Sequence, residues 1–136
     1  MNPRLTNPAL RAGLWVLTAV EVVVGLVATF TPRAFYDYVP WVDLLPPYSE
    51  HLTRDVGALS LSLALVLVVA ATTMERRLVR VGLVAYLVFA IPHLIFHVMH
   101  LENFTTAAAI GQTAILAVAV LLPAALLFLT GRRRSN

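Results

Sequence analysis

The chain lacks cysteine altogether. That excludes disulfides, thiolate metal sites and haem attached covalently through Cys-x-x-Cys-His, and it leaves His, Asp and Glu as the side chains able to ligate a metal. Lysine is also absent, so all ten basic residues are arginine. Charge of either sign is scarce: 12% of residues are charged and 60% hydrophobic, against about 25% charged in an ordinary soluble domain. No Gly-rich phosphate loop, G-x-S-x-G nucleophile elbow or H-E-x-x-H motif occurs. Ser60 and Ser62 lie deep in an apolar segment, with nothing nearby to activate them, so Ser/His/Asp catalysis is not supported.

What is present is a set of long uncharged blocks. A length of 136 residues has room for four spanning helices of roughly 20 residues each. The blocks predict an all-α, four-transmembrane-helix bundle forming a single domain over residues 1–136, with helices at about 10–31, 50–73, 78–100 and 105–130. The first block is too long for a signal peptide and shows no small-residue cleavage site, so it reads as an uncleaved span. Thr31 to Ser49 carries Phe35, Tyr36, Tyr38, Trp41 and Tyr48 among Pro40, Pro46 and Pro47. Aromatic residues prefer the membrane–water boundary and prolines forbid a long helix, so this is an interfacial loop, able to fold over the end of the bundle. A tight charged turn is expected at Met74 to Arg80. Ala107 and Gly111 form a small-x-x-x-small packing step.

The arginines set the orientation. With four spans, Arg4, Arg11, the Arg76/Arg77/Arg80 group and the Arg132–Arg134 tail share one side, and by the positive-inside rule both termini are cytoplasmic in a multi-pass cell-membrane protein. The positive charge sits at helix ends, which is orientation chemistry and not a nucleic-acid surface.

Two polar clusters then fall at the outer end. His93, His97 and His100 are spaced i, i+4, i+7 and share one helix face. Glu50-His51-Leu-Thr-Arg54-Asp55 opens the preceding span, with His51/Asp55 and Glu50/Arg54 each at i, i+4. Neither cluster is needed to set the orientation, so their arrival at one depth is informative, and they are expected to meet in space. Imidazole ligates zinc, copper and iron, or takes the axial position of a b-type haem. The expected metal ligands are His51, Asp55, His93, His97 and His100, with Glu50, Arg54 and Glu102 orienting them. The competing reading is a solvated His100 and a purely structural His93/His97 network. Pro92 is expected to kink the histidine helix, and Gln112 to add one polar contact from the fourth helix. Glu21 lies mid-span, as a proton carrier or as a carboxyl hydrogen-bonded to a neighbouring helix.

The stretches from Pro47 to Leu59 and from Pro92 to His100 resemble a family of small four-helix membrane proteins of actinobacteria, with the patterns P-Y-x-E-H-L-x-R-D-x-G and P-H-L-x-x-H-x-x-H. The size and helix count are similar, more distantly, to DoxX-like membrane proteins, some associated with redox complexes. The first resemblance implies that the two clusters act as a unit and brings no activity with it. Three functions are open: a metal or haem protein with redox activity as one use, a non-catalytic subunit of a larger membrane complex, and a proton-coupled transporter working as a homo-oligomer. The lipid bilayer is the expected partner in each, and no nucleic acid in any.

Overall fold

The computed structural model describes residues 4–45 and 47–131. Pro46 lies outside the described residues, and so does the Arg132–Arg134 tail of the orientation argument. The described chain is helical: α1 (Pro8–Phe30), a short α2 (Pro32–Tyr38), a 3-10 turn (Val42–Leu44), α3 (Glu50–Thr73), α4 (Arg76–Met99) and α5 (Thr106–Leu129). Of these, α1, α3, α4 and α5 are long and apolar enough to cross a membrane. They run alternately up and down, so the bundle has an arginine end (α1 start, α3–α4 turn, α5 finish) and a histidine end.

Local chemistry sets the boundaries. The Asn7 side chain accepts from the Ala9 and Leu10 amides at 3.0 and 3.3 Å, and Pro8 follows at the first helical position, where its missing N–H costs nothing. Ser49 caps α3 through the Leu52 amide and Thr105 caps α5 through the Ala108 amide. Met74 ends α3 in the left-handed conformation, φ 51°. The expected tight turn is correspondingly shorter. Met74 and Glu75 make the reversal, and Arg76, Arg77 and Arg80 already belong to α4, as befits a good helix former. α4 runs unbroken through Pro92.

The helices close a ring: α1 packs most extensively on α3, α4 on α5, α3 on α4, and α5 back on α1. Glycines allow the close approaches. Gly13 sits under Leu126 of α5, and Gly25 and Gly57 bring α1 and α3 almost into backbone contact. The large fully buried apolar side chains, Leu10, Leu14, Leu67, Met74, Val79 and Leu83, all lie toward the arginine end. The histidine end is filled by Ala28, Gly25, Gly57 and the polar Gln112, so well-packed hydrophobic core holds one end and polar groups occupy the other.

The aromatic loop folds back onto the histidine end. Trp41, at φ 70°, lays its indole against Gly111 of α5, and Asn103 Nδ2 donates to the Leu44 carbonyl at 3.0 Å. The Ala107/Gly111 step therefore has a different use from the one expected: Gly111 makes room for an indole, not for a helix. Arg33 pairs with Asp37 at 2.8 Å and lies over the Tyr36 and Tyr48 rings. The Asp37 hydrogen bond, ahead of the same carboxylate's charge, raises the Arg33 pKa above its ordinary value.

Candidate functional site

The three histidines form a ladder of rings down one face of α4. Phe89 stacks on His93 with centroids 5.1 Å apart. His93 meets His97 edge to face at 4.4 Å. Phe96 stands edge-on to His97 at 5.7 Å and stacks on His100 at 4.1 Å. His100 Nδ1 lies 2.7 Å from the Phe96 carbonyl oxygen. A carbonyl only accepts, so Nδ1 is the donor, and in the neutral imidazole this leaves the lone pair on Nε2, the tautomer usual in a metal-ligating histidine.

His97 is the middle member. Gln112, 5% exposed on α5, comes up to its imidazole. The two side chains are placed as an imidazole N–H donor and an amide oxygen acceptor, although His97 Nδ1 and Gln112 Oε1, both buried, fall short of ordinary hydrogen-bond geometry. This imperfectly matched pair and Thr29 Oγ1 are the buried polar atoms at this end of the bundle, among the described residues, that lack a hydrogen bond of ordinary geometry.

The α3 cluster is engaged differently. His51 Nε2 lies 3.2 Å from Asp55 Oδ2, both exposed. Arg54 pairs with Glu50 through Nε and Nη2 at 2.9 and 2.8 Å, while its Nη1 donates to the Thr29 carbonyl at the end of α1. Within the α3 cluster His51 and Asp55 thus hold each other, and Arg54, paired with Glu50, caps the end of α1. No set of three or more His, Asp or Glu side chains arranged to hold a metal ion occurs among the described residues. Glu102 is exposed in the α4–α5 turn.

Glu21 is 4% exposed and has side-chain hydrogen bonds with Ser60 of α3 and Tyr86 of α4. This mid-bilayer triad ties three helices together. The part played by Ser60 and Tyr86 is absent from the sequence reading, although counting residues from each helix end puts both at the depth of Glu21.

Four apolar helices enclosing a polar end define a multi-pass helical membrane protein. No family model, curated protein or solved structure matches the chain.

Proposed function

We propose that this membrane protein binds a transition-metal ion (zinc, copper or iron), or a b-type haem through one axial imidazole, at the histidine end. His97 is the central ligand and His93 and His100 flank it. His51 and Asp55 are within the same polar end and available as further ligands, with Glu50, Arg54 and Glu102 around them. By the arginine distribution this end faces outward, with both termini cytoplasmic.

The observation that carries the proposal is the run of three imidazoles on one face of α4, whose middle member, His97, has a buried Nδ1 that, with the facing Gln112 Oε1, falls short of ordinary hydrogen-bond geometry. A buried polar atom without a partner costs about 1–3 kcal/mol, and a bound cation or its water relieves both atoms together. The His100 tautomer leaves a second lone pair free on the same face. The rings as they stand are stacked with Phe89 and Phe96, so binding turns them toward a common point. His100 and Phe96 are exposed and turn readily, while His93 and His97 are half-buried.

Elemental analysis and a visible absorption spectrum on protein purified in mild detergent test the proposal, for wild type and His97→Ala. A near-stoichiometric metal, or a Soret band, lost in the variant is the expected result. Colourless, metal-free protein from metal-replete cells, whose melting temperature is unchanged by added Zn²⁺, overturns it. The pair is then a structural contact, and the accessory-subunit reading takes its place, to be pursued by pull-down after mild solubilisation.

A further inference from the structure

The arginine end contains a feature that the histidine end does not explain. A cleft of about 580 Å³ opens between the start of α1 and the end of α3, lined by Arg4, Arg11, Trp15, Thr72, Thr73 and Met74 among others. We propose that it is a binding site for an anionic phospholipid, whose phosphate sits between Arg4 and Arg11 and whose glycerol and first acyl carbons lie along Trp15.

The charge is the first argument. Arg4 and Arg11 are exposed, and neither takes part in the ion pairs seen among the described residues, Arg33–Asp37, His51–Asp55 and Arg54–Glu50. No acidic residue among those described lines the cleft. Two unpaired guanidiniums facing one cavity are matched by a phosphate, which each can hold through paired N–H donors. The helix terminus itself is not the binding element, because Asn7 already accepts from the Ala9 and Leu10 amides.

Depth is the second argument. Arg11 and Trp15 are i, i+4 on α1, so they share a face about 6 Å apart along the axis. That is the order of a membrane leaflet read inward: charge at headgroup level, then an indole at the interface. Trp15 is 43% exposed, so its ring is available to a lipid. The wall is rigid. Leu5 N donates to the Met74 carbonyl at 2.8 Å and an antiparallel bridge joins Arg4 to Glu75, which together fasten the segment before α1 to the α3–α4 turn. Basic pockets between spanning helices are a recurring way of holding anionic headgroups.

Native mass spectrometry and thermal melting in detergent supplemented with phosphatidylglycerol, phosphatidylcholine or inorganic phosphate test this. For wild type we expect retained phosphatidylglycerol and a raised melting temperature, with phosphatidylcholine and inorganic phosphate giving neither. The preference for phosphatidylglycerol should be about fivefold per arginine, roughly thirtyfold for the pair. It should vanish in Arg4→Gln/Arg11→Gln and persist in Arg77→Gln, which removes an exposed charge outside the cleft. Equal retention of both lipids, or a double variant that behaves as wild type, overturns the proposal. A shift with inorganic phosphate as large as with phosphatidylglycerol overturns the lipid assignment and leaves a soluble-anion site.

Discussion

Gly57 of α3 lies so close to Thr29 of α1 that a Cβ built on it would stand 2.5 Å from Thr29 Oγ1 and 2.6 Å from the Thr29 nitrogen. The neighbour is backbone as well as side chain, so it cannot swing aside. Gly57→Ala should therefore push α1 and α3 apart, lowering stability by about 1–3 kcal/mol. Gly82 is the control. Its nearest atom would be Val66 Cγ1 at 3.5 Å, an ordinary contact, so Gly82→Ala should be neutral or gain from the ~1 kcal/mol helix preference of alanine over glycine. Thermal melts of the two variants in detergent compare them directly; a Gly57→Ala protein that melts with wild type contradicts the close crossing.

The same crossing is fastened at its rim by Arg54, which reaches the Thr29 carbonyl and Glu50 together. The carbonyls of a final helical turn have no partner within the helix, and Arg54 supplies one across the interface. Arg54→Ala should cost about 1.5–3 kcal/mol, the range for hydrogen bonds to a charged group. Glu50→Gln should cost under about 1 kcal/mol, as for an exposed ion pair. Chemical denaturation of the two variants should rank them in that order, and an equal loss would mean that Arg54 acts only through Glu50.

Glu21, Ser60 and Tyr86 share one buried set of hydrogen bonds, so replacements at Glu21 should separate by hydrogen-bonding ability and not by size. Glu21→Gln keeps an acceptor and should lie within about 0.6 kcal/mol of wild type, the average worth of a hydrogen bond between spanning helices. Glu21→Leu strands the Ser60 and Tyr86 hydroxyls and should cost about 1–3 kcal/mol. Unfolding in mixed micelles is the measurement. A Glu21→Leu protein as stable as Glu21→Gln would show that the two hydroxyls find other partners.

The spans are legible in the sequence because uncharged runs bounded by Asn7, Pro32, Ser49 and Thr105 leave the backbone few alternatives. The α3–α4 turn is shorter than its charge suggests, because arginine is as much at home in a first helical turn as in a loop. The candidate site is legible on α4, where one helix face fixes His93, His97 and His100 by periodicity alone. Its relation to α3 is not. Which way Arg54 and His51 turn depends on how closely α1 approaches, and that approach is set by Gly25 and Gly57, two residues with no polar signature. Trp41 against Gly111 is hidden for the same reason: the loop's aromatic content shows that it seeks an interface, not which glycine will receive it.

The absence of cysteine makes the orientation directly measurable. An Asp43→Cys variant puts one thiol on the exposed loop at the histidine end, and Glu75→Cys puts one in the α3–α4 turn. Neither removes an arginine, and acidic residues contribute little to orientation, so neither should disturb what it reports. If the arginines face the cytoplasm, a membrane-impermeant maleimide added to intact cells should label the Asp43→Cys protein, and the Glu75→Cys protein only after permeabilisation. The result bears on both proposed sites at once. Labelling of the Asp43→Cys thiol from outside gives the His97 site access to extracytoplasmic metal and the Arg4/Arg11 cleft access to the cytoplasmic leaflet, where surface charge draws basic segments. The reverse pattern would turn the histidines to the cytoplasm, and any metal reaching them would come from the intracellular pool.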